Sequence, residues 1–210
     1  MRLPTTVRSL LFPLAVAGLC GCGGGGASSP GPSSNGATST IPFFGDILKF
    51  QARTKQSEAK ANLKAMYTAE KAFFAEKDRF STNINEVGFS PERNNRYRYV
   101  LTSIPHSLED RSGIVPVGHS TDEGIGVDAF KYSKLLSSIE QGSCSGSPVW
   151  GISNNGQTFT GAAYGDIDGD GTLDVWTIST ESRTLGGDGC DAGTTVPAGE
   201  PVNEINDVNR

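Results

Sequence analysis

Histidine and cysteine are scarce in this chain, and an excess of positive charge is missing. Two histidines, four cysteines and 18 Lys+Arg against 23 Asp+Glu give a formal net charge of −5 over 210 residues. The deficit of basic residues argues against nucleic acid as a partner, because phosphate binding needs a basic face. The two histidines, His106 and His119, form no H-x-x-x-H or Cys/His pattern for zinc, and no G-x-S-x-G context accompanies them. The four glycines at 23–26 lack the lysine of a phosphate-binding loop and follow no strand. The chain therefore reads as non-enzymatic, with no required cofactor. Long apolar runs are absent too. The longest, Leu10 to Leu19, holds about half of the roughly 20 residues that a membrane-spanning helix needs.

That short run has the layout of an export signal. Arg2 and Arg8 precede it, and Leu19-Cys20-Gly21-Cys22 follows. This ending resembles a bacterial lipobox, in which cleavage falls before an acylated cysteine. Residues 1–21 are then the signal peptide and Cys22 the lipidated residue, with Cys20 the alternative. Removal of Arg2 and Arg8 leaves 16 basic residues against 23 acidic ones, a net of −7. Several acyl chains would anchor the protein firmly, since each buried CH₂ adds about 0.8 kcal/mol. Gly23 rather than Asp after Cys22 leans towards the outer membrane, as the lipoprotein resemblance implies. Residues 22–40 are Gly/Ser-rich and almost uncharged, a tether with a reach of about 25 Å.

Glycine and proline are missing from Ile47 to Arg79, where Ala, Lys, Glu, Gln and Leu dominate. Apolar residues at Ala59, Leu63, Met66, Tyr67, Phe73 and Phe74 recur near helical spacing, with lysines between them. The pattern predicts one long amphipathic helix, N-capped by Asp46 and ended by the Ser-Thr-Asn run and Gly88. Residues 95–104 alternate as a half-buried strand. Asn154-Asn155-Gly156 marks a turn before a strand over 157–164, and Asp174–Ser179 is its expected partner. Residues 105–130 read as irregular loop with short strands at most, and 129–139 as a short helix. An α+β fold follows, one helix on a small antiparallel sheet over 41–185, with a tail from 186 to 210. Arg93, Arg96 and Arg98 beside Tyr97 and Tyr99 read as a solvated strand face.

Ile41-Pro42-Phe43-Phe44 and KFQARTKQSEAKANLKAMYTAEKAFFAEKDRFS (Lys49 to Ser81) resemble the first helix of type IV pilins of the deltaproteobacterial kind. GAAYGDIDGDGTLDVWTI (Gly161 to Ile178) resembles their last hairpin. The resemblance implies a helix packed across an antiparallel sheet. It begins where a pilin's apolar half-helix would end, and a lipobox and tether stand in that place. The expectation is thus a pilin-like domain re-anchored by lipid, acting in or alongside a type IV pilus or related secretion system. The contact surface would be the loops at 82–130 and the acidic loop at 166–174. The alternative is a calcium-dependent adhesin or ligand-binding surface lipoprotein unconnected with pili. Cys144 and Cys190 are the cysteines left beyond the signal, and an exported domain meets an oxidising compartment. Their pairing, which also resembles the C-terminal disulfide loop of many pilins, would contribute about 4 kcal/mol in the chain-entropy model.

Asp166, Asp168, Asp170, Thr172 and Asp174 alternate around Gly171 as in the opening of an EF-hand calcium loop. Alternate carboxyls of a tight loop can converge on one hard cation, with Thr172 offering its carbonyl. Thr177 stands at the twelfth place, where a bidentate Glu is expected, so waters or a second segment such as Asp188 or Asp191 would have to complete the ligand set. The other reading is an ordinary hairpin loop, in which Asp and Gly are common turn residues.

Overall fold

The apolar stripe from Ala52 to Phe73 decides where the long helix lies. A computed structural model describes residues 43–132, 149–186 and 193–209, all in one unit. Helix α1 spans Phe43–Lys77. Asp46 therefore lies inside the helix and does not cap it, and the helix ends at Lys77, before the Ser-Thr-Asn run. Ala52, Gln56, Ala59, Leu63, Met66, Glu70 and Phe73 are buried, a repeat of alternating four and three residues. Tyr67 and Phe74 flank the stripe half-buried, while Lys60, Lys64, Lys71 and Lys77 stay exposed.

The Ser-Thr-Asn run and Gly88 instead delimit a second, short helix, α2 (Ile84–Val87). The Asn83 side chain caps it by accepting the Asn85 and Glu86 amides, and Gly88 closes it at φ 74°. The expected strand over 95–104 shortens to β1 (Arg98–Val100), paired with β2 (Gly124–Ile125). A Cβ on Gly124 would lie 2.4 Å from the Tyr99 carbonyl, so this pairing needs glycine there. Much of the 105–130 loop is pinned. Arg93 grips both oxygens of Asp128 at 2.7 and 2.8 Å, and buried Arg111 holds Glu109 at 2.7 Å. Of the short helix expected over 129–139, residues 129–132 form a turn and the rest lie outside the described residues.

The remaining strands are β3 (Gly151–Ile152), β4 (Phe159–Gly165), β5 (Asp174–Ser179), β6 (Arg183–Thr184), β7 (Thr195–Val196) and β8 (Val202–Ile205). The main sheet runs β2-β1-β4-β5-β8, with β3 also on β4; β6 and β7 form a separate hairpin. The C-terminal residues correct the expectation of a tail, because β8 pairs antiparallel with β5 and a 3-10 turn follows at Asp207–Asn209. The β5–β8 register shifts between Val175, which faces Ile205, and Trp176, which faces Asn203. Glu204 is the extra residue, and it accepts the Thr177 hydroxyl at 2.7 Å.

Both central strands are buried along their whole length. On the helix side Leu63, Met66 and Phe73 pack with Tyr97, Tyr99, Phe159, Ala163, Trp176 and Ile178. On the other side Trp150 stacks on Tyr164 at 6.0 Å, over Val100, Ala162 and Val175. Tyr97 and Tyr99 are thus core residues, and the neighbouring arginines bind locally: Arg96 to Glu58 at 3.2 Å and Arg98 to the Tyr164 hydroxyl at 3.2 Å. They form no stacking platform.

A polar seam joins helix to sheet. Glu58 accepts the Arg96 amide at 2.7 Å, Asn62 donates to the Tyr99 hydroxyl at 2.8 Å, and Lys55 donates to the Ile167 carbonyl. Its centre is Asp174. Oδ1 accepts from Gln56 Nε2 at 3.0 Å, Asn203 Nδ2 at 2.9 Å and the Asp207 amide at 3.3 Å. Oδ2 accepts from the Tyr97 hydroxyl at 2.7 Å and Trp176 Nε1 at 2.5 Å. Replacing Asp174 by Ala is expected to cost at least about 4 kcal/mol in chemical denaturation, because five donors lose their acceptor at about 1–3 kcal/mol for each one left buried and unpaired. Gln56→Ala should cost less, and the double variant less than the sum, since both act in one network.

Glu70 is the other polar member of the buried stripe. The Ser81 amide reaches its Oε2 at 3.4 Å, and Oε1 has no hydrogen-bond partner. Burial pushes its carboxyl up to about 8, with the Ser81 amide and Arg79 pulling weakly the other way. The raised value means that stability is full below the ordinary pKa of about 4.5 and is lost as pH rises towards about 8. Glu70→Gln is expected to flatten that decline, raising the melting temperature at pH 8 while changing it little at pH 4. Thermal unfolding across pH 4–9 checks this.

Candidate metal centre at the hairpin loop

The β4–β5 hairpin is closed by residues 166–173, where two glycines take the left-handed region: Gly169 at φ 92° and Gly171 at φ 97°. Side chains organise the loop from within. Asp166 accepts the Gly169 and Gly171 amides at 2.6 and 3.1 Å, Asp168 the Asp170 amide at 3.3 Å, and Asp170 the Thr172 amide at 2.7 Å. The carboxyls are thereby turned towards a common region.

Asp166, Asp168 and Asp170 converge as their spacing predicts, but the fourth acid is not Asp174. Ligand atoms of Asp166, Asp168, Asp170 and Asp207 all lie within 4.8 Å of one another. Asp174 points the other way, into the network of donors already described. Thr172 contributes its amide to Asp170 and belongs to the loop scaffold. Asp188 and Asp191 lie outside the described residues, as do Cys20, Cys22, Cys144 and Cys190.

Asp207 comes from the C-terminal 3-10 turn, 33 residues beyond Asp174. The hydrogen bond from its amide to Asp174 places it, and Lys55 on the Ile167 carbonyl fixes the near end of the loop. Its side chain is buried, and neither carboxyl oxygen has a well-formed hydrogen bond. Burial, together with Asp168 and Asp170, pushes its pKa up to about 7, the Ile167 amide opposing weakly. A cavity of about 360 Å³ opens beside the cluster, lined by Lys49, Gln51, Lys55, Asp168, Asp170 and Val208. No local pattern around Asn206-Asp207 marks it as a ligand position. The one available signal was the alternating Val202–Ile205 stretch before it, which would have placed a strand there.

The histidines lie elsewhere. His106 bonds Glu123 through Nδ1 at 2.9 Å with its side chain 89 % exposed, and His119 lies 3.7 Å from Asp122. Among the described residues neither joins the acidic cluster. No described helix is long and apolar enough to cross a membrane.

Known proteins are similar to this chain in sequence. The family model described as type IV pilin PilA matches residues 50–180, from the first third of α1 to the end of β5. The type IV major pilin protein PilA of Myxococcus xanthus (strain DK1622) is 36 % identical over 188 residues, covering 82 % of this chain and 84 % of that protein. The buried four-three stripe of α1, strands β1 to β5 and the acidic hairpin loop fall inside the family-model match, and the chain belongs to the type IV pilin PilA family.

Proposed function

We propose that this protein is a non-enzymatic, lipid-anchored pilin-like protein that works in or alongside a type IV pilus or a related secretion system at the cell envelope. Membership of the PilA family carries the reading and supports a pilus-related structural role. The lipid anchor rests on Leu19-Cys20-Gly21-Cys22 at the end of a short apolar run, with Cys22 the acylated residue and Cys20 the alternative. Gly23 after it favours the outer membrane.

The non-enzymatic part rests on what the buried polar groups do. Asp174, Gln56, Glu58, Tyr97 and Tyr99 bond one another or neighbouring elements across the helix–sheet seam. The partner-binding surface is the 82–130 region. Ile104, Ile114, Val115, Val117 and Phe130 are exposed there on a segment held in shape by Arg93 and Arg111. Such apolar exposure on a fixed segment suits docking to another envelope protein. A disulfide between Cys144 and Cys190 belongs to the same proposal, as the bond of an exported domain.

The test is to shear fibres from cells and blot fibres and membranes for this domain, with Cys20 and Cys22 intact or changed to Ser. Signal confined to membranes and lost with the cysteine changes is the expected outcome. Signal in fibres that survives those changes would overturn the lipid anchor and assign the protein to the filament itself.

A further inference from the structure

Three of the four clustered acids are ordinary for an exposed loop, since each accepts amides of the loop itself. Asp207 is different. It arrives from a separate segment, is 1 % exposed, and has no well-formed hydrogen bond to either carboxyl oxygen, yet an oxygen lies within 4.8 Å of those of Asp166, Asp168 and Asp170. Buried carboxyls in proteins are hydrogen-bonded or paired, because desolvation without a partner is costly. Across the site Asp207 faces the carboxyls of Asp166, Asp168 and Asp170, with the Ile167 amide as a weak opposing influence. The backbone around it is firmly built: its amide is held by Asp174, and the Val208 amide by Asn206 at 3.1 Å. An acid aimed by rigid surroundings at three like charges is accounted for by a cation between them.

The donor set selects the cation. Four carboxyls without nitrogen or sulfur suit a hard ion and disfavour zinc. Asp168 and Asp170 are exposed, so water can fill the remaining positions up to the six to eight that calcium takes. Ligands drawn from a loop and a distant turn give an irregular cage, which calcium tolerates and magnesium, with its strict octahedron, does not.

We infer that Asp166, Asp168, Asp170 and Asp207 bind one calcium ion, which joins the β4–β5 loop to the C-terminal turn. Asp174, at the ninth place of the EF-hand-like run, is a positioning residue: through the Asp207 amide it holds the fourth ligand in place. The ion thus fastens the end of the chain, and edge strand β8 with it, to the hairpin. This holds wherever the protein is anchored, so it stands or falls separately from the pilus assignment.

The test uses the purified full chain, titrated with calcium chloride by calorimetry and melted in 5–10 mM calcium or in EGTA, with roughly extracellular-type affinity expected at about 10⁻⁴–10⁻³ M. Calcium should raise the melting temperature, and magnesium at the same concentration should raise it much less. Asp168→Asn, on the exposed loop where folding is not at risk, should weaken binding at least tenfold. Asp207→Asn should do the same and should in addition melt higher than the parent chain in EGTA, because an unpaired buried acid is removed. That opposite response in the two media separates a lost ligand from a damaged fold. Asp110→Asn, remote in the 105–130 loop, should bind as the parent does. No heat at millimolar calcium and equal melting temperatures in calcium and EGTA would overturn the site. Binding undiminished by Asp207→Asn would remove Asp207 from it and with it the fastening of the C-terminus.

Discussion

Five donors from separate parts of the chain converge on the carboxyl group of Asp174: Gln56 from α1, Tyr97 before β1, Trp176 on β5, Asn203 on β8 and the Asp207 amide in the last turn. Asp174 itself is fully buried. A buried carboxyl is tolerated only when its lone pairs are satisfied, and a network of this kind permits few alternative arrangements. The register of helix on sheet, the docking of the C-terminal strand and the placement of Asp207 all depend on it. Apolar packing of Leu63, Met66 and Phe159 supplies most of the driving force for burial, but it is non-directional and would tolerate sliding. The donors that meet at Asp174 remove that freedom.

The buried stripe of α1 carries two polar residues with opposite consequences. Gln56 finds Asp174 and ties the helix to the hairpin strand. Glu70, two turns from the helix end, finds one weak amide and is held neutral by its surroundings. In the loop segment from Phe80 to Phe130 a capped helical turn, the Arg93–Asp128 pair, buried Arg111 and a short strand pair hold the exposed apolar residues in position.

Long-period features were the legible part of the fold. The helix from residue 47 to the high seventies, the turn at Asn154–Gly156 and the β4–β5 hairpin could be read because their signals are local and repeated. Within the candidate site Asp166, Asp168, Asp170 and Gly171 were legible for the same reason. What escaped reading was short or distant in sequence. β2 is two residues long, α2 is one turn that its capping residues Asn83 and Gly88 disguised as a helix stop, and β8 sits in a stretch whose Gly, Pro and Asn content resembles a tail.

The amino-acid sequence by itself determined which segments could be helix and strand, because helix propensity, apolar period and turn chemistry act over a few residues. It also determined that carboxyls would crowd one hairpin loop. Only the tertiary structure decided which carboxyl serves which purpose. Asp174 and Asp207 are alike as residues and 33 positions apart, yet the carboxyl of one faces five donors and that of the other lies among three acids. That difference comes from the pairing of β8 with β5, a contact across the sheet that no local pattern encodes.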